Sequence, residues 1–471
     1  MHVPNLKTEI RGAHNWRQSQ TAWNIRNFVR HDANILNPRI SNFNNPKDDN
    51  IYRYEFPIMQ WSIAMVQKVF GEHVTIMRLS IFLLGAFTII GFFFLLKALD
   101  LNDWSALIGA ILLQFSPVFY YYSINPIPDN LALTGAVWYL YLILRYFKEG
   151  KNNYLIGASF CLLIATWAKL PFLMFSIVSI VYFLKQVIRQ KNIDKNLWFF
   201  VAIQFLILIP AFAWYAWVMP NWEGNGILHG IFKNQVEWSE TRRIIHYQWH
   251  VMFPQKLLNY IVLVPAILGL FLIRKNKFRW LVYAQIGITF LYLILEFNMI
   301  GTVHDYYMMP FLPWLYIAVA FFVEQIIKIR YVKYLTIPII ALSALLTFNY
   351  TKDFWSIEAS YFNPDIYTYK KELQNAVPND EKCIILDDYS QYIFSYAIDK
   401  TGYIYNNGAL KDGWMNDLIR NKKNTYLYSD NRQIDENKLM QQYFDYLVLE
   451  AGSIRVYKLK TPEQLDEMLK N

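Results

Sequence analysis

MRLSIFLLGAFTIIGFFFLLKA, residues Met77–Ala98, has Arg78 near its start, Lys97 near its end and no acidic side chain between them. At 1.5 Å per residue, a helix of this length matches a hydrocarbon layer about 30 Å thick. Apolar runs of the same character follow near 104–122, 129–147, 154–169, 171–188, 197–218, 257–273, 280–299, 307–327 and 334–350. Two of them meet at Lys169-Leu170-Pro171, a break that suits either two thin spans or one broken, re-entrant pair. The expected fold class is mainly α: a polytopic membrane helical bundle over residues 76–350, with about 10 spans at roughly 20 residues each.

The whole-chain composition agrees. Of 471 residues, 55% are hydrophobic and 17% charged, against about 25% charged in ordinary soluble domains. This much apolar surface excludes a disordered chain, and two cysteines exclude a disulfide-stapled scaffold. The net charge of +9 raises nucleic acid as a partner, and its placement argues against that. Residues 76–350 hold 21 Lys and Arg against 11 Asp and Glu, and the flanking portions hold 24 against 25.

Within the apolar core the basic residues alternate from one set of connections to the next. Lys97, Arg145, Lys148, Lys151, Lys185, Arg189, Lys191, Lys195, Arg274, Lys275, Lys277, Arg279, Lys328, Arg330 and Lys333 fall in one set; Lys169, Lys233, Arg242, Arg243 and Lys256 fall in the other. Fifteen against five is a positive-inside pattern. It places the first set in the cytoplasm, and it puts residues 1–75, the 219–256 loop, the 300–306 loop and everything after 350 outside. The expected location is a plasma membrane, the bacterial inner membrane, crossed many times.

Three regions follow: a first outer loop with interfacial helices (1–75), the multi-span core (76–350) and a C-terminal extracytoplasmic domain (351–471). In the last, β-type runs at Cys383–Leu386, Gly402–Tyr405, Thr425–Tyr428, Tyr446–Leu449 and Ile454–Leu459 alternate with helical stretches at Tyr367–Asn375 and Glu436–Tyr443. That alternation suggests a small α/β domain. It shows no glycine-rich phosphate loop, zinc spacing or triad signature. Cys161 and Cys383 read as packing residues.

Polar residues collect on the outward side in three clusters: His14-Asn15-Trp16-Arg17-Gln18, followed at a distance by Tyr54-Glu55-Phe56-Pro57; Ile127-Pro128-Asp129-Asn130; and His304-Asp305-Tyr306-Tyr307. Each has a plain reading. Asp129 and Asp305 stand near helix N-termini, where the helix dipole stabilises a carboxylate. The His14–Gln18 stretch suits an amphipathic interfacial helix, with Trp16 and Trp23 at headgroup level. Lys169 suits a snorkelling lysine, and Arg242 and Arg243 suit solvated charges. Each has a chemical reading as well. Glu55, set among aromatic residues, suits a general base with a raised pKa, or else an ion pair with Arg53 or Arg78. Lys169, Arg242 and Arg243 suit phosphate ligands.

Taken together, these residues resemble the GT-C superfamily of integral-membrane glycosyltransferases, in its branch of protein O-mannosyltransferases and lipid A aminoarabinose transferases. The matching pieces are Tyr54-Glu55-Phe56-Pro57 with Trp61, Val69-Phe70-Gly71 with Arg78, Ala165-Thr166-Trp167-Ala168-Lys169-Leu170-Pro171, and His304-Asp305-Tyr306-Tyr307 with Pro310. The likeness covers roughly residues 11–350. It implies a polyprenyl-phosphate-linked sugar donor and transfer with inversion at the outer face, to a lipid, protein or glycan acceptor. It also implies an acidic residue of the first outer loop at the reaction centre. Glu55 matches the second acidic position of that loop, whereas Arg17-Gln18 stands where the family has an acidic pair. Relatives carry a spanning helix ahead of this loop; here the loop opens the chain, which fits either a shortened reading of the gene or a missing helix.

The expected mechanism has Glu55 taking the acceptor's proton, with His14 as a substitute base. Arg17, Lys169 and Arg242 or Arg243 hold the leaving phosphate, and His304 and Tyr307 serve as hydrogen-bond donors; Gln18, Asp129, Asp305 and Tyr306 complete the substrate-binding set. No cofactor is implied, and a divalent metal is left open. The alternatives are a transporter or flippase of lipid-linked glycans, whose marks are mid-membrane ionisable residues and paired repeats, and a non-catalytic family member.

Overall fold

The structure, a computed structural model, describes residues 2–44, 49–191, 194–221, 237–406, 410, 412–430 and 432–468. The chain forms two compact units. One gathers Met1–Leu6, Tyr54–Met59 and Thr75–Lys352; the other gathers Lys7–Arg53, Gln60–Val74 and Asp353–Asn471.

The first unit is helical. Among the described residues five helices are long and apolar enough to cross a membrane: Val74–Ala98, Leu170–Gln190, Lys195–Val218, Asp305–Ile327 and Lys333–Trp355. Asp103–Gln114 and Arg279–Leu295 are apolar but shorter. The ten apolar runs of the sequence are therefore not ten unbroken spans, and the interruptions have local causes. Pro117 has no amide hydrogen to donate, and it starts a separate helix, Pro117–Tyr122, after Asp103–Gln114 has ended. The 257–273 run becomes α-helical only at Leu263, after Asn259 and Tyr260 take positive φ angles of 43° and 61°. The Lys169-Leu170-Pro171 break separates two helices: Asn152–Ala168 ends on an extended Lys169, and the chain restarts at Leu170.

Small residues set the closest helix approaches, as expected where lipid and protein are equally apolar. A Cβ at Gly269 would lie 1.8 Å from the Ala318 carbonyl oxygen, and one at Gly135 would lie 2.7 Å from that of Cys161. Polar side chains close other contacts in pairs: Thr88 Oγ1 to Thr134 Oγ1 at 2.6 Å, and Ser179 Oγ to Gln204 Oε1 at 2.7 Å.

The second unit contains a five-stranded sheet of order β2-β1-β3-β5-β4, where β1 is Cys383–Leu386, β2 Gly402–Tyr405, β3 Tyr426–Ser429, β4 Phe444–Ala451 and β5 Ile454–Leu459. β1 runs parallel to β2 and β3; β5 runs antiparallel to β3 and β4. β1 is buried on both faces, since Cys383 and Ile385 join one apolar cluster and Ile384 and Leu386 the other. This is the expected pattern for a parallel strand covered on each side. Burial pushes the Cys383 thiol up to about 12, in keeping with a packing role.

The N-terminal stretch builds onto this sheet. Gly402 N–H donates to Ser41 O, and Phe43 N–H donates to Gly402 O, both at 2.9 Å. The helix Asn15–Arg30 is buried along nearly its whole length. Trp23 is 2% exposed, and its indole donates to Ser395 Oγ at 3.3 Å. Protein, and not a lipid headgroup, surrounds it.

Candidate active site

In the first unit, the helix Asp129–Glu149 starts from a braced turn. The buried Arg78 guanidinium donates to Ile124 O at 3.2 Å and to the Asn125 side chain. Asn130 Nδ2 donates to Tyr122 O and Asn125 O at 2.8 and 2.9 Å. The turn fixes Asp129, 1% exposed, in the first turn of the helix, where the dipole favours its charge. Arg145 and Lys148 sit in the same helix near its other end. Twenty-one residues put Asp129 about 30 Å from that basic end.

Lys169 lies opposite Asp129. Its ammonium stands 3.9 Å from Asp129 Oδ2 and over the rings of Tyr307 and Tyr306, 4.7 and 6.0 Å from their centroids. The third cluster is thereby brought to the second. His304 lies 5.4 Å from the Tyr307 ring, and Tyr306 and Tyr307 pack edge to face at 4.8 Å. His304 Nδ1 is 2.7 Å from Met299 O. A carbonyl only accepts, so Nδ1 carries the hydrogen, and in the neutral ring Nε2 is an acceptor. His304 therefore donates from Nε2 only as imidazolium, which narrows the donor role expected from sequence.

Asp305 faces the other way along the same turn. Its Oδ1 accepts from Tyr122 OH at 2.7 Å, and its Oδ2 accepts from Lys256 Nζ at 2.8 Å. Burial opposes the Lys256 ammonium, but Asp305, with Tyr350 and Tyr247, outweighs it and holds the pKa well above the ordinary lysine value. Lys256 is part of a π-helical segment, Gln248–Leu257, that contains Pro254. Gln248, in the same segment, donates to Gly301 O at 2.8 Å and so ties it to the connection leading to His304.

Glu55 is clamped from both sides. Trp214 Nε1 donates to Tyr54 O at 3.1 Å, and Phe56 N–H donates to Trp167 O at 3.0 Å. The Phe56 ring packs 4.7 Å from Trp167 and 5.0 Å from Trp214. Tyr215 OH donates to the Thr166 and Trp167 carbonyls at 3.0 and 3.1 Å, and the Glu55 carboxylate acts on it electrostatically. Glu55, half-buried, is thus held to the strip Thr166-Trp167 that runs directly into Lys169.

The remaining candidates are placed differently. Arg242 and Arg243 are exposed on the helix Trp238–Tyr247, and Arg243 pairs with Glu240 at 2.6 Å. Lys233 lies outside the described residues. His14, Arg17 and Gln18 belong to the second unit. His14 precedes the helix with a φ of 52°, Gln18 Nε2 donates to Ala13 O at 2.8 Å, and the Arg17 guanidinium donates to Gln20 of its own helix. Sequence reading missed Lys256, Tyr122, Trp167, Trp214 and Tyr215. Only Trp167 carried a signal, as part of the quoted Ala165–Pro171 stretch; the others come from apolar runs or a lightly charged loop.

The family model described as dolichyl-phosphate-mannose-protein mannosyltransferase matches residues 55–215, from Glu55 through Asp129 and Lys169 to Tyr215. The structure superposes on crystal structures of ArnT from Cupriavidus metallidurans. In the apo state the TM-score is 0.68 at 11% identity, covering 96% of this chain and 94% of that one. Bound to undecaprenyl phosphate, it is 0.66 at 12% identity, covering 96% and 95%. The chain has the fold of ArnT. A third structure, the arabinofuranosyltransferase AftD from Mycobacteria, aligns with a TM-score of 0.60 at 13% identity, over 97% of this chain and 38% of that one. A sequence search of curated proteins finds no match. The resemblance read from the quoted motifs thus agrees with the family model over residues 55–215 and with the fold over nearly the whole chain.

Proposed function

We propose that this chain is a membrane glycosyltransferase that moves a sugar from a polyprenyl phosphate to an acceptor hydroxyl, with inversion. The observation that carries the reading is the meeting of Lys169 with Asp129 and the Tyr306–Tyr307 pair, at the end of the strip that clamps Glu55. The ligand of that ArnT structure, undecaprenyl phosphate, supports a donor of the same class here.

In the reaction, the acceptor oxygen attacks the anomeric carbon from the face opposite the phosphate. The bond from that carbon to the phosphate oxygen breaks, and the phosphate leaves with the electron pair. Its extra charge has to be met in a place shielded from water, where a fixed cation is worth most. Lys169 meets it with its ammonium. Tyr307 keeps the ammonium oriented through its ring face. Glu55 takes the acceptor's proton. The site lies at the helix ends opposite the basic connections, which the positive-inside pattern puts outside the cytoplasm.

The test is transfer from labelled polyprenyl-phosphate sugar by membranes containing the wild-type chain. Wild type is expected to release polyprenyl phosphate and glycosylate the acceptor. Lys169→Ala is expected to lose about 10²–10³ of the rate, the usual cost of one charge-stabilising group. Wild-type membranes that only move the intact lipid-linked sugar across the bilayer would establish the transporter reading instead.

A further inference from the structure

At the basic end of the first unit a groove of about 410 Å³ opens between the ends of three helices. Phe147 and Tyr182 stack at its floor with centroids 3.9 Å apart, and Trp280 lies 5.7 Å from Phe147. Lys185 and Arg189, one turn apart on the helix Ile177–Gln190, line the groove, and the Lys185 ammonium stands 4.8 Å from the Trp280 ring centroid. Phe278 closes the side, with the ammonium groups of Lys148 and Lys277 at 5.3 and 5.1 Å from its ring. These two lysines share Asp100, at 2.5 and 3.2 Å. Among the described residues no carboxylate lies within ion-pair distance of Lys185 or Arg189.

The same helix presents Ile180, Leu184 and Ile188, 50%, 51% and 76% exposed and four residues apart. They form one apolar stripe leading away from the cations. Two cations one turn apart, one of them over an aromatic ring, next to a stripe suited to hydrocarbon, match a lipid with a phosphate head and acyl chains. Phe147 is 18 positions along the helix from Asp129, or about 27 Å, so this groove lies at the other end of that helix from the proposed donor site.

We propose that the groove binds an anionic glycerophospholipid of the leaflet that the basic connections face, with its phosphate on Lys185 and Arg189, its glycerol region on Trp280 and Tyr182, and a chain along Ile180, Leu184 and Ile188. The inference rests on the membrane setting alone and not on the transferase reading.

The experiment is native mass spectrometry of the full-length protein in detergent, titrated with phosphatidylglycerol, phosphatidylcholine or inorganic phosphate. Three proteins are compared: wild type, Lys185→Ala/Arg189→Ala and the charge-matched Arg330→Ala/Lys333→Ala. Wild type is expected to retain phosphatidylglycerol over phosphatidylcholine. Loss of two cations, at about fivefold each, is expected to weaken retention about 30-fold in the groove variant only. Equal loss in both variants would overturn the groove as the site. Displacement of the lipid by inorganic phosphate at comparable concentration would overturn a lipid as its ligand. The groove residues are exposed, so both variants are expected to stay folded, with thermal midpoints matching wild type.

Discussion

Two lysine–aspartate pairs flank the His304–Tyr307 turn, and they differ in kind. Lys256 bonds Asp305 at 2.8 Å, while Tyr122 fills the other carboxylate oxygen. Lys169 stands 3.9 Å from Asp129, beyond hydrogen-bond reach, with its charge spread over tyrosine faces. The first is the geometry of a brace, with a short hydrogen bond to each carboxylate oxygen. In the second, ammonium and carboxylate are farther apart and the ammonium also faces two aromatic rings. On the proposed reading, the first pair holds the fold and the second serves chemistry.

Exchanging the roles of the residues would break the comparison, and the largest effect is expected at the proposed base. Glu55→Gln should lower the transfer rate by about 10²–10⁴ while thermal stability stays near wild type. Lys256→Met should do the reverse: it leaves Asp305 buried without its cation and should cost about 3–5 kcal/mol in unfolding experiments. Adding Asp305→Asn should recover part of that loss. If Lys256→Met left stability unchanged and abolished donor binding, the assignments of the two pairs would be exchanged.

A smaller effect is expected in the second unit. Burial raises the carboxyl groups of Asp388 and Asp430 to about 6 each. A raised acid favours the folded state in its protonated form, so stability is lost as the pH rises from about 4, the unfolded value, through about 6. Hydrogen exchange at β1 and β3 should show greater protection free energy at pH 5 than at pH 7, by about 1–2 kcal/mol, and Asp430→Asn should reduce the difference. The smallest effect concerns His14. Its φ of 52° is one that glycine adopts without strain, so His14→Gly should change stability by less than about 1 kcal/mol. It should leave transfer intact if Glu55 is the base.

Some of this was readable in the sequence, for physical reasons. The helical runs announce themselves by uninterrupted apolar length. The strands, β1 above all, announce themselves by short β-branched and aromatic runs between polar turns. Asp129, Lys169 and His304–Tyr307 were legible because polar residues at the ends of apolar runs stand out. Lys256 was not, because nothing local marks a single lysine in a loop, and its partner is 49 positions away. Arg17 reads from sequence as a phosphate ligand; its guanidinium donates to Gln20 one turn along its own helix, a local bond that composition does not reveal. The continuity of the helices was also beyond sequence, because Pro117 and the positive φ angles at Asn259 and Tyr260 break helices inside runs that hydropathy reads as continuous.

The most direct test is a single-turnover measurement with the donor already bound, comparing wild type with Glu55→Gln and Lys169→Ala. The account predicts that Glu55→Gln holds polyprenyl-phosphate sugar as tightly as wild type but transfers it at least about 10²-fold more slowly, whereas Lys169→Ala is impaired in both holding and transfer. Transfer at the wild-type rate by Glu55→Gln would contradict it.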